Sequence, residues 1–386
     1  MRSAAVPLSG FRRKYRRGRS TLSTSVALIA IVGVGLRFRP NVAPDISRRL
    51  STAVGFGGES RPEPVAFDED GVTAAGLRIE HGLMRSLVLT SDGRLRTLSN
   101  STLRSSNRPF AADDARTLAT RLRREFPDHQ VFETSHFLIA QPHGTGDQWA
   151  YLFENTYAAV DRVMRRCGVA TRRGAFPMVA VVAGDREECA ELVERRGESL
   201  PRGVVGFYGL ESNRVYTYGD IVQRTEDTET VRHEAAHQVA FNVGIHSRTD
   251  LTPAWICEGL GTLFESEGMA SGYRSPYIRD RAVESYVRRI RSWDADRWSD
   301  TLTSIIESDR AFADGRTVHD AYAAAYGLSF YLQEHRPKTY GTILRTSFTD
   351  PETTLTPPRR RETFERQIGG TIGDLAENLW RCFRYL

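Results

Sequence analysis

A length of 386 residues suits one catalytic unit of two subdomains with appendages, and 40% hydrophobic with 26% charged residues is an ordinary globular composition. The net charge of +5 is misleading, because residues 1–40 carry nine Arg or Lys and no acid. Of the 53 basic residues, 44 then remain against 48 acidic ones, which excludes a basic nucleic-acid surface on the body.

Residues 11–19 (FRRKYRRGR) precede an apolar run from Leu22 to Leu36. A basic segment before a short apolar one is the layout of a secretory signal. The run is short for a membrane span of about 20 residues, and Arg37 and Arg39 follow it with no small-x-small cleavage site. A signal anchor and a cleaved signal peptide both stay open at 22–36, the anchor being favoured. Residues 1–21 are then a basic cytoplasmic tail and the body lies outside the cytoplasm. The expected place is the cell membrane, single-pass, or after cleavage a secreted or periplasmic protein. A cytoplasmic protein with a basic arm is the alternative.

Residues 37–75 are rich in Pro, Gly, Ser and charge and read as a linker. Residues 76–130 read as a small appendage, a hairpin over Leu77–Leu98 and a helix over Ala111–Phe126 capped near Asp113. His81 and His129 read as surface histidines. The pattern then changes to strand and helix in alternation. Strands are expected at His136–Ala140, Pro177–Ala183, Val204–Leu210 and Arg214–Tyr218, and helices at Gln148–Arg166 and Arg186–Arg195.

The next stretch carries the chemistry. His233-Glu234-Ala235-Ala236-His237 is an H-E-x-x-H on an expected amphipathic helix. Residues four apart share a helix face, so both imidazoles can reach one metal ion, with Glu234 placed as general base. Two ligands leave a zinc site incomplete, and the third expected is Glu258, on a second helix that starts at Trp255. Glu265, seven residues on along the same face, is expected to hydrogen-bond a ligating His. The rival reading of the first motif alone is a metal-free His/Glu stripe. The added Trp-x-x-Glu-Gly and Glu265 favour the metal. Such N,N,O ligation suits one Zn2+ per chain and also admits other divalent ions.

Beyond it the chain is helical, over Tyr277–Trp293, Thr317–His335 and Tyr340–Ser347, with further C-terminal helices at Arg361–Gly369 and Ile372–Phe383 in residues 351–386. Cys167 and Cys189 are a candidate disulfide between neighbouring helices of an exported domain. Cys257 reads as a small buried residue, not a fourth ligand.

This segment resembles the gluzincin metallopeptidases, in which two His of H-E-x-x-H and a downstream Glu hold zinc. HEAAHQ and W-x-x-E-G-x-x-x-x-x-E are similar to the membrane alanyl aminopeptidases. The resemblance is closer to a bacterial family of unknown function held to be gluzincin-like peptidases. It covers roughly residues 130–345 through SHFLIA, PMVAVV, GFYGLESNRVYTYG, HEAAHQ, AWICEGLGTLFE and AYAAAYGLSFYL.

The resemblance implies an α+β fold, with a two-lobe catalytic domain over 131–350: a small mixed sheet and the active helix, then a helical subdomain. It implies a sheet-edge strand at Arg214, Val215 and Tyr216 that aligns the substrate backbone. It also implies Tyr322 as a donor to the reaction's oxyanion, with Tyr326 and His319 as weaker candidates. The motif's Gly is Ala325 here. The G-x-M-E-N that grips a free amino terminus in the aminopeptidases is absent from Gly206–Glu211, which favours an endopeptidase acting on a peptide or protein substrate. The alternative is a catalytically silent binding protein of the cell envelope that keeps the peptidase fold. A purely structural zinc domain would instead want a fourth ligand.

Overall fold

The computed structural model describes residues 62–69, 71–195, 200, 204–219, 225–249, 252–270, 277–347 and 356–386. The apolar run 22–36, the tail before it and most of the expected linker lie outside the described residues. Among the described residues, no helix is long and apolar enough to cross a membrane.

The linker reading ends too late. Glu63–Glu69 (β1) and Val72–His81 (β2) already pair as antiparallel strands. Arg85–Thr90 (β3), Leu95–Ser99 (β4) and the short Arg104–Ser105 (β5) complete a five-stranded sheet ordered β4-β3-β2-β1-β5. Its charge hides its strands: Glu69 faces Arg94 and Arg96, and Val65, Phe67 and Val88 form a small buried cluster. Helix α1 (Ala115–Glu125) follows, capped by Asp114 rather than Asp113.

The second sheet positions the site. Its strands are His129–Glu133 (β6), Phe137–Pro142 (β7), Met178–Ala183 (β8), Gly206–Gly209 (β9) and Arg214–Tyr218 (β10), ordered β6-β7-β8-β10-β9. β7, β8 and β10 run parallel, and β6 and β9 close the two edges antiparallel. Both faces of β8 are covered, which explains its unbroken apolar sequence. Helices Gln148–Cys167 (α2) and Thr225–Asn242 (α4) share one core with Ile139, Ala180 and Val215. Helices α1 and Arg186–Glu194 (α3) share another with Leu138, Val181 and Tyr216, on the opposite face. Cys167 and Cys189 therefore lie in separate cores, both free, and the expected disulfide is not made. His129 is not a surface residue either: its side chain is 7% exposed and its Nε2 lies 3.1 Å from the Val182 carbonyl.

The helical lobe comprises Ala254–Leu263 (α5), Glu267–Ala270 (α6), Glu284–Ile290 (α7), Ala295–Glu307 (α8), Val318–His335 (α9), Pro337–Thr346 (α10), Pro357–Ile368 (α11) and Ile372–Arg384 (α12). The single helix expected over Tyr277–Trp293 is broken. Val283 is extended, and it donates its N–H to the Tyr326 hydroxyl at 2.8 Å instead of to a helical carbonyl. Helix α8, which the sequence reading did not place, is capped by Asp294, whose side chain accepts from the Arg297 N–H. Phe364, Ile368, Leu379 and Phe383 join the core that holds α9, so residues 356–386 are part of this lobe and not an addition to it.

Candidate metal centre

Helix α4 is not amphipathic as expected. From Val231 to Ala240 every residue but Arg232 is buried, because the sheet and α2 cover one side and α5 the other. A helix covered all round has no solvent stripe to place a His/Glu pair on, so His233, Glu234 and His237 face the protein interior.

The two imidazoles converge. His233 Nε2 and His237 Nε2 are 2.8 Å apart, and Glu258 Oε2, from α5, lies 3.3 and 3.6 Å from them. Ligands bonded to a tetrahedral zinc at about 2.0–2.1 Å sit about 3.3 Å from one another. The three ligand atoms thus already enclose a point fit for the ion, and the three residues form the metal-capable group found among the described residues. The charge balance agrees. Glu234, Glu258 and Glu265 are all buried around this point, an arrangement that is costly without a compensating cation.

Two glycines on α5 make the approach possible. A Cβ on Gly261 would stand 2.9 Å from ring atoms of His233 and His237. A Cβ on Gly259 would meet the Ser329 Oγ at 2.3 Å and the Ala325 carbonyl at 2.7 Å. Gly261 therefore opens α5 to the imidazoles and Gly259 opens it to α9.

Glu265 reaches His233 as expected, Oε1 to Nδ1 at 2.8 Å, but from another local structure. Helix α5 ends at Leu263, so Glu265 lies in the turn beyond it, not two turns along it. Arg232 holds that turn from α4, donating to the carbonyls of Phe264 and Glu265 at 3.2 and 2.7 Å. With Nδ1 donating to Glu265, His233 would present Nε2 to a metal ion on losing its second proton.

The electrostatics follow from burial and these contacts. Burial alone would raise the Glu258 carboxyl, but its bonds to both histidines outweigh it and hold the group at about 2. Burial would lower His233, yet Glu258 and Glu265 keep it well above its ordinary value. Burial and the charge of His233 lower His237. Burial pushes Glu234 up to about 8, against the opposing pull of His233. Glu234 Oε2 accepts the Tyr208 N–H at 2.9 Å.

Tyr322 faces the cluster from α9. It is 3% exposed, and burial together with the charge and hydrogen bonding of the nearby Glu258 keeps its phenol well above the ordinary value, hence protonated. Tyr326 does not face the cluster, since its hydroxyl is taken by Val283. His319 is exposed on the first turn of α9. The expected substrate strand is also corrected. Arg214, Val215 and Tyr216 lie on β10, paired to β8 on one side and β9 on the other. Arg214 spends its guanidinium on Glu125 at 2.7 and 3.1 Å. The edge strand on this side of the sheet is β9, not β10.

Sequence reasoning missed Arg232, Tyr208, Tyr286 and His246. Tyr286 donates its hydroxyl to Glu265 Oε1 at 3.1 Å. His246 is buried with both ring nitrogens unpartnered, and burial pushes it down to about 3, so it is neutral. Arg232 adjoins His233 in the chain and could have been suspected; the other three carry no local pattern.

A family model described as "Protein of unknown function (DUF1570)" matches residues 227–352, a span that includes His233, His237, Glu258, Glu265, Tyr286 and Tyr322. No curated protein matches the chain.

Proposed function

We propose that this chain is a zinc-dependent peptidase that hydrolyses internal peptide bonds, an endopeptidase. The observation that carries the reading is the buried convergence of His233, His237 and Glu258 with a fourth acidic group, Glu234, beside it and engaged on one oxygen only by Tyr208. A structural zinc site would be closed by a fourth ligand, and none joins this cluster among the described residues.

His233, His237 and Glu258 would hold the ion. When bound, zinc acidifies a water and polarises the scissile carbonyl. Glu234, with Oε2 fixed by the Tyr208 N–H, takes the water's proton on Oε1 and returns it to the leaving amine. Burial raises Glu234, and a dication held by the three ligands would lower it, favouring the carboxylate that a general base needs. Tyr322, protonated and beside Glu258, offers its O–H to the oxygen on which negative charge develops.

An extended peptide added to β9 would pass over Glu234. Tyr208 turns its N–H away from β10, so by alternation Gly206 and Tyr208 are the outward pair of that edge. The ligand triad and general base being intact favours catalysis over the silent envelope-protein alternative.

The test is cleavage of an unstructured protein by the purified, zinc-loaded chain. Glu234→Gln should retain zinc and lose at least about a thousandfold in kcat. Tyr322→Phe should lower kcat by roughly a hundredfold with KM little changed. Zinc bound in full but no cleavage of a broad peptide set would favour the binding-protein reading instead.

A further inference from the structure

We propose that Tyr286 is a positioning residue of the metal centre, acting through Glu265 to hold His233 in the tautomer and orientation that present Nε2. The inference rests on the metal-site reading above.

The hydroxyl of Tyr286 and the Nδ1 of His233 converge on the same oxygen, Glu265 Oε1, at 3.1 and 2.8 Å. Glu265 has left α5, so no helix fixes its side chain. Arg232 fixes the backbone on either side of its Cα by way of the Phe264 and Glu265 carbonyls. The carboxylate itself, with its free torsions, is held only by what meets its oxygens. Tyr286 supplies that second hold.

Its own position is determined at several points. The ring is 8% exposed and stacks on Tyr326 with centroids 5.0 Å apart and planes at 25°. Tyr326 stacks in turn on Phe330 of α9 at 5.5 Å, and its hydroxyl is tied to the Val283 N–H that opens α7. The break before α7 is therefore what sets Tyr286 against Glu265. An uninterrupted helix over 277–293 would spend the Val283 N–H on its own ladder and free the Tyr326 hydroxyl.

The other histidine ligand has no such support. His237 Nδ1 is buried without a partner among the described residues, so its ring is placed by packing under Gly261 and by what meets Nε2. His233 is the ligand whose direction is set by hydrogen bonds, and the order of that set is Tyr286 to Glu265 to His233. Outer partners of this kind change metal affinity by about tenfold to a hundredfold when removed.

The experiment uses the full chain with Tyr286→Phe, which keeps the stacked ring and removes only the hydroxyl. Zn2+ affinity is read by competition with a chromophoric chelator, and the ligand field by the visible spectrum of the Co2+-loaded protein. Expected are about tenfold or greater weakening of Zn2+ binding and displaced Co2+ bands, with the melting of the metal-free chain little altered. Glu265→Ala should weaken binding at least as much, and adding Tyr286→Phe to it should cost nothing further. Wild-type affinity and spectrum in Tyr286→Phe, or additive losses in the double variant, would overturn the proposal and leave the metal site standing. A wild-type chain that takes up neither Zn2+ nor Co2+ would remove the metal site and this inference together.

Discussion

At the scale of single residues, the site turns on what is missing from Gly261 as much as on what is present at His233. Its absent Cβ is the space in which two imidazoles lie, 2.9 Å from where that carbon would be. Gly261→Ala should weaken zinc binding by at least about tenfold, equivalent to roughly 1.4 kcal/mol, and chelator competition measures it. The motif H-E-x-x-H made His233, Glu234 and His237 legible, because spacing along one helix is a local property. Glu258 and Glu265 were legible as candidates from the Trp-x-x-Glu-Gly pattern, although Glu265 reaches His233 from the turn after α5 and not along that helix. Tyr286 and the Tyr208 N–H were not, since they reach the site through the break before α7 and the order of strands, which no local pattern records.

At the scale of elements, α5 is a wedge between two helices. Gly261 faces α4 and Gly259 faces α9, where an added methyl would collide with backbone at Ala325. Backbone cannot swing aside as a side-chain tip can. Gly259→Ala should therefore destabilise the chain by about 1–3 kcal/mol with or without metal, whereas the damage from Gly261→Ala should appear mainly in the zinc-loaded form. Thermal melts of both variants, with zinc and after chelation, separate the two effects. Most strands and helices around the candidate metal centre were readable from apolar runs and periodicity. The order β8-β10-β9 was not. β9 and β10 are similarly buried and joined by the turn Glu211–Asn213, so only the parallel pairing of β10 with β8 shows that β9 is the outer strand. Strand β1 and the first half of β2 were hidden for another reason: their sheet is held by charged pairs on a very small apolar core, and such sequences look like linker.

At the scale of the whole molecule, the two lobes share one core, and the metal centre is set within it. Its charges are thereby linked to folding. Glu234 is raised from 4.5 to about 8, so between these values the folded metal-free chain keeps a proton that the unfolded chain has lost. Stability must fall as pH rises through that window. His233, also raised, acts in the same direction, losing its contribution as pH passes its folded value. Glu258, depressed to about 2, acts oppositely and only on acidification towards that value. The chelated chain should accordingly melt several degrees lower at pH 8 than at pH 5, a decline that Glu234→Gln reduces. Zinc binding displaces these protons, so its affinity should rise across the same interval.

The central claim is that His233, His237 and Glu258 hold one zinc ion per chain. The most direct measurement is the metal content of the purified full chain after equilibration with Zn2+, set beside Glu258→Ala. The account predicts one zinc per wild-type chain and a loss of at least about a hundredfold in affinity for the variant, roughly 2.7 kcal/mol. No zinc on the wild-type chain, or undiminished binding by Glu258→Ala, would contradict it.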